Sequence, residues 1–273
     1  MEKFLFNGEI IIRESGCYTR AHFFRHPKTN RRALLLGMMR CGDPECFSAI
    51  KELLSECDCV LFEGSINPDN QPDNNCGKTE CGEHCPKTCG ECSCRGADDR
   101  PPPAPALMQI FYIAALRHLG LSPESDSFDY RAAGWKSAEE PFIARMKNDK
   151  NFREELRAKL MSPAISQKRQ NEIRLHLLEA ITRIAEKEFS REDLLRSFAF
   201  LWSDGETVEA FRQILGTMRD ESVFEVFDET VMRENPNMIG IKFGAAHIAH
   251  QRRLIEDRGY ALERSIEIKQ FSL

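Results

Sequence analysis

The chain opens with two runs in which apolar residues dominate, EIIIRE over Glu9 to Glu14 and YTRAHFFR over Tyr18 to Arg25. Joined through Ser15-Gly16-Cys17, they predict a β-hairpin. The basic turn HPKTNRR leads into ALLLG, an apolar run of strand length that ends on Gly37. Beyond it the period changes. Phe47, Ile50, Leu53 and Leu54 recur at helical spacing, with Asp43 as N-cap and Pro44 at the first helical position, where a missing N–H does no harm. CVLFEG then predicts a short strand that ends on Glu63.

A helical pattern resumes over Ala106 to Leu119 and, after LSPESDSFDY, dominates from about Ala138 to Glu234. Its clearest piece runs from Gln167 to Phe189, with Ile173, Leu177, Ile181, Ile184 and Phe189 on one face. MIGIKF predicts a strand, GAAH a turn into a helix containing Leu254 and Ile255, Gly259 a C-cap, and YALERSIEI a last strand.

A weak repeat emerges. ALLLG-MMR-helix-CVLFE and MIGIKFG-AAH-helix-YALERSIEI are both strand, Gly-x-x-X, helix, strand, with Gly37 leading to Arg40 and Gly244 to His247. Two such units at opposite ends of a chain imply an α+β fold with a mixed, pseudo-symmetric sheet, read here as a single domain over 1–273. A large helical section (138–235) would cover the sheet. Residues 64–105 differ in kind. They begin INPDNQPDNN, close RGADDRPPPAP and offer little to a core, so they read as a loop insertion.

Composition narrows the function classes. Hydrophobic residues make up 41% and charged residues 30%, as in a globular protein in water, and the net charge of −5 provides no basic field for a nucleic-acid backbone. No run approaches the ~18 apolar residues of a membrane span, and MEKFLFNGEIIIRESG lacks a signal-peptide core, so a cytosolic location is expected. Of the eleven cysteines, Cys76, Cys81, Cys85, Cys89, Cys92 and Cys94 fall in the insertion beside His84. Cys89–Cys92 has the C-x-x-C spacing of a zinc ligand pair; the other gaps are four, three, three and one residues. Zinc or Cu(I) binding, a disulfide knot and an unmetallated loop are the readings this pattern allows. Cys17, Cys41, Cys46, Cys57 and Cys59 lie among apolar neighbours and read as reduced core residues.

GAAHIAH is the sharpest local signal for chemistry. Its small residues let a turn approach a ligand, and His247 would sit at a helix N-terminus, where the dipole favours neutral imidazole, a metal ligand or base. The competing reading is a histidine bonded to backbone in a crowded turn. His250, three residues on, reads as surface. Glu63, at the end of an apolar strand, could be a metal ligand, a general base, a turn cap or the partner of an arginine such as Arg40.

Together these residues carry a resemblance. GMMRCGDPECF, CVLFEG and the distant IGIKFGAAH resemble the TraB/PrgY/GumN family, within the superfamily of the Tiki metalloproteases. That superfamily is related more distantly to the haem-binding ChaN proteins and the erythromycin esterases. Its pattern is two Gly-x-x-His motifs at strand ends and a glutamate after the strand following the first. Gly244–His247 matches the second motif and Glu63 the glutamate. Phe128 to Trp135 followed by Ala138-Glu139 resembles the family's Tyr…Trp-x-x-Ala-Asp segment, and Arg219-Asp220 its Arg-Asn/Asp element. The resemblance covers 33–64, 120–142 and 219–268.

It implies a hydrolase-like cleft for a peptide or similar small ligand, with a divalent metal on His247 and Glu63 and with Arg219 as a supporting charge. Where the first motif ends in histidine, however, this chain has Arg40, which cannot ligate a metal. Cys41, His22 and His26 are the nearest replacements. Arg40 could instead clamp a carboxylate-bearing ligand or pair with Glu63. The rival is a non-catalytic binding protein, or a metal or redox sensor working through the cysteine-rich loop.

Overall fold

The computed structural model describes residues 2–64, 104–161, 166–202 and 217–273. Cys76, Cys81, His84, Cys85, Cys89, Cys92 and Cys94, read above as candidate metal ligands, lie outside these residues.

The fold is α+β. Its strands are β1 (Lys3–Leu5), β2 (Ile10–Arg13), β3 (Gly16–Arg25), β4 (Arg32–Met38), β5 (Cys41–Gly42), β6 (Cys59–Phe62), β7 (Ser122–Pro123), β8 (Trp135–Ser137), β9 (Met238–Gly244) and β10 (Ala261–Phe271). The helices are α1 (Pro44–Ser55), α2 (Ala104–Leu119), α3 (Glu140–Asn148), α4 (Lys150–Met161), α5 (Gln167–Ala185), α6 (Arg191–Trp202), α7 (Thr217–Glu234) and α8 (Ala245–Asp257).

An eight-stranded mixed sheet runs β1-β2-β3-β4-β9-β6-β8, with β10 also paired to β3; β5 and β7 form a separate two-stranded ribbon. Strand β3 pairs with β10 over nearly its whole length, so β2 and β4 share its other edge. Strands β4, β9, β6 and β8 are mutually parallel.

Alternation along β4 explains why this strand reads as continuously apolar: both of its faces are covered. Leu34, Leu36 and Met38 pack with Phe47, Ile50 and Leu54 of α1. Ala33 and Leu35 pack on the opposite face with Phe224 and Phe227 of α7 and Ile248 and Ile255 of α8. The unit β4-α1-β6 passes over β9 in one direction, and β9-α8-β10 returns over β4 and β3 in the other. Right-handed crossovers in opposite directions put their helices on opposite faces, as found. Between the adjacent strands β4 and β9 the chain therefore departs both ways, which opens a crevice at their carboxyl ends. Helices α2, α5 and α6 roof that end through Phe111, Leu177 and Leu194, which join Met39, Cys41 and Ala245 in one cluster.

One local expectation holds with a different partner for its side chain, and two need correction. Asp43 stands at the N-cap of α1 without a side-chain cap bond; its carboxylate is drawn instead to Arg191 at 3.0 Å and the Ser272 N–H at 3.1 Å. Helix α5 stops at Ala185, two residues before Lys187 at φ 62°, and Phe189 reaches the core from the following turn, 5.8 Å from Phe111. In the hairpin, Gly16 and Cys17 belong to β3 rather than to the turn.

Candidate active site

A pocket of about 340 Å³ lies in the crevice, lined by Phe6, Met38, Met39, Tyr112, Phe198, Ala245 and Ala246 together with Arg40, Glu63, Arg219, Gly244 and His247. Thus the four residues singled out in the sequence line one pocket. Met38–Arg40 come from the end of β4, Glu63 from the end of β6, and Gly244–His247 from the junction of β9 and α8. The Cβ that Gly244 lacks would stand 3.3 Å from Glu63 Oε2. At Gly37 a Cβ would drive into Ile248 and the Ala245 backbone, so α8 could not approach β4.

Glu63 is the hub. Its Oε1 accepts from Arg40 Nη2 and from Arg219 Nη2 at 3.0 Å, and its Oε2 accepts the Gly244 N–H at 2.9 Å. The same Arg219 nitrogen also donates to Glu139. Burial alone would raise the Glu63 carboxyl. The charges of His247, Arg40 and Arg219 and the Gly244 N–H outweigh it and bring the carboxyl from 4.5 to about 2. Arg40 is itself held protonated: burial works against its charge, and the Glu63 and Glu124 carboxylates overcome that. Its side chain remains half exposed.

His247, only 2% exposed, is oriented from behind by Asp220. Asp220 Oδ1 accepts from His247 Nδ1 at 2.9 Å and from Gln251 Nε2 at 2.8 Å, and its Oδ2 meets His250 Nδ1 at 3.1 Å. A carboxylate can only accept, so Nδ1 carries a proton and donates it to Asp220, and Nε2 is the ring nitrogen on the Glu63 side. Nε2 stands 3.7 Å from Glu63 Oε1. His250 is therefore not a surface bystander. Residues three apart on a helix lie on neighbouring positions, and one carboxylate reaches both imidazoles.

A second buried cluster supports the Arg40 backbone. Lys242 is fully buried in the middle of the sheet; its Nζ donates to Glu124 and, at 3.1 Å, to Tyr130 Oη, and lies 4.6 Å from the centre of the Phe128 ring. Burial lowers the lysine, and Glu124 acts the other way. The Glu124 N–H donates to the Arg40 carbonyl at 2.9 Å, and the Tyr112 hydroxyl donates to the same oxygen. The charged side chain that breaks the apolar pattern of MIGIKF thus anchors the segment that holds Arg40.

The replacement ligands lie elsewhere. His22 bridges Glu9 at 2.8 Å and Ser265 at 2.7 Å, and His26 packs on Tyr260. Cys41 is buried, which pushes its thiol up to about 12. None of the three lines the pocket. A metal donor set built on His247 and Glu63 also fits poorly: Arg40 has no lone pair, and both Glu63 oxygens already accept hydrogen bonds. Among the described residues no group of three histidine, cysteine or carboxylate side chains is placed to hold a metal ion.

Sequence reasoning missed the pocket walls Phe6, Tyr112 and Phe198, whose apolar rings look like any core residue, and the anchoring role of Lys242. It noted Asp220 only as part of a resemblance. No helix among the described residues is long and apolar enough to cross a membrane. No family model, characterised protein or solved structure matches the chain.

Proposed function

We propose that the crevice binds a peptide or similar small ligand bearing a carboxylate and hydrolyses it without a metal, on the ground plan of the TraB/PrgY/GumN family that its motifs resemble. The observation that carries this reading is the Asp220–His247 pair, which turns Nε2 toward the same carboxylate oxygen that the half-exposed Arg40 grips. His247 acts as general base. It takes a proton from a water whose oxygen attacks the ligand carbonyl, then returns that proton to the departing amine as the C–N bond breaks. Asp220 stabilises the imidazolium in between. Arg40 clamps the ligand carboxylate through N–H groups that Glu63 does not use, and Arg219, tied to Glu63 and Glu139, fixes the Glu63 position. The apolar walls receive the ligand's side chain and exclude water.

A mixed synthetic peptide library incubated in EDTA and read by mass spectrometry tests this. The wild-type chain should cleave, and His247→Ala and Asp220→Asn should lose cleavage by about a hundredfold or more. Cleavage abolished by EDTA, or unchanged in His247→Ala, overturns the metal-free base.

The non-catalytic reading rests on the engagement of Glu63, the one carboxylate among the described lining residues, with Arg40, Arg219 and the Gly244 N–H. Ligand capture without turnover in the same library favours it.

A further inference from the structure

A second cavity among the described residues has no part in the crevice. It is a groove of about 640 Å³ on the α1 face, between helix α1 and strand β10. Its floor is apolar, made by Cys46, Ala49 and Leu53 of the helix and Ile266 and Ile268 of the strand. Its helical wall carries Glu45, Glu52 and Glu56, all exposed, spaced seven and four residues apart so that they fall on one side of α1. The other acids at its rim are already balanced. Asp43 is paired with Arg191, and Glu267 with Arg13 and Arg20. Among the described residues Lys269 is the one cation in the lining, which leaves the groove acidic.

The strand wall offers main-chain groups. Strand β10 is eleven residues long and pairs with β3 along one edge; among the described residues no strand pairs with the other. At its far end the Gln270 carbonyl is taken by the Asp43 N–H, which closes that end of the groove. A helix beside an open strand edge, over an apolar floor, is the geometry in which an extended peptide adds as a further strand.

We propose that this groove binds an extended segment of a partner protein in which lysine or arginine alternates with β-branched apolar residues. The segment adds to the free edge of β10. Its apolar side chains pack on Leu53, Ala49 and Ile266, and its cations face Glu45, Glu52 and Glu56. A second copy of this chain is a poorer occupant, because pairing β10 with β10 would bring two acidic α1 faces together.

The test uses fluorescein-labelled acetyl-Lys-Val-Lys-Ile-Lys-Val-Lys-amide and fluorescence anisotropy with the full chain. Binding should weaken as salt rises, and the counterpart with Glu for Lys should bind about tenfold more weakly or not at all. Glu45→Lys/Glu52→Lys/Glu56→Lys, all exposed changes, should lose about tenfold for the Lys peptide and gain for the Glu peptide. Methylating alternate peptide nitrogens should abolish binding in one register and spare it in the other, since only one set faces β10. Equal binding by both methylated peptides reduces the contact to charge attraction and overturns strand addition. An unchanged affinity in the triple variant, or no binding of the Lys peptide, overturns the site. Concentration-dependent dimerisation blocked by Ile266→Pro, without peptide binding, makes the groove a contact between copies and likewise overturns it.

Discussion

Glu63→Gln is the most informative single change in the crevice. It keeps the size of the side chain and the bond from the Gly244 N–H, and removes the charge that holds two guanidinium groups. Glu63 is 8% exposed and Arg219 15%, so solvent screens that pair little, while the half-exposed Arg40 is screened more. Its carboxyl lies at about 2 against an ordinary 4.5, which corresponds to about 3 kcal/mol of stability at neutral pH. The sign follows from the direction. A carboxyl lowered on folding contributes fully above pH 4.5 and loses its contribution as pH falls toward about 2. About two fifths of it should be gone by pH 3.5. Urea unfolding followed by tryptophan fluorescence at pH 7, 5, 4 and 3.5 measures the difference between wild type and variant. We expect Glu63→Gln to cost about 2–4 kcal/mol at pH 7 and the gap to narrow steadily below pH 4.5. A gap under about 0.5 kcal/mol at pH 7, or one that stays constant to pH 3.5, refutes the view that the guanidinium groups stabilise an ionised Glu63.

Lys242→Met should destabilise by about 3–5 kcal/mol because it strands the Glu124 carboxylate, whereas Lys242→Met/Glu124→Leu should recover about half of that or more. Equal losses in the single and double variants, by the same unfolding assay, would show that the ion pair is not the operative feature. Arg40→His should raise affinity for Zn²⁺ about tenfold or more in isothermal titration, since imidazole supplies a lone pair where guanidinium has none. Unchanged zinc binding would place the altered side chain outside the reach of Glu63 and His247.

Much of the site was legible because strand ends announce themselves. Apolar runs such as ALLLG and MIGIKFG must stop where the sheet stops. Gly37 marks a place where a helix comes too close for a side chain, and Gly244 one where a carboxylate packs tightly. From there, Arg40, Glu63 and His247 fall at the carboxyl ends of parallel strands by the geometry of crossover connections. What was not legible depends on reach across the fold. The Asp220–His247 contact joins α7 to α8, and nothing local in either helix specifies it. Phe198 enters from the roof, where an apolar residue on a helix could equally face the core. Lys242 did leave a signal, a single charge inside a buried strand, but its meaning required Glu124 and Tyr130, which a Pro/Ser/Asp segment supplies from more than a hundred residues away.

The placement of β9 has a consequence for how the molecule is made. Leu36 and Lys242 are neighbours in the sheet, about two hundred residues apart in the chain, and β6 also waits for the same strand on its open side. During synthesis β4 and β6 leave the ribosome long before the strand that joins them. Their apolar edges need sheltering until Met238–Gly244 has been translated. Chains cut before Met238 should therefore be aggregation-prone rather than partly functional, and the crevice, which needs the β9–α8 junction, is completed only after β4 and β6 have long been made.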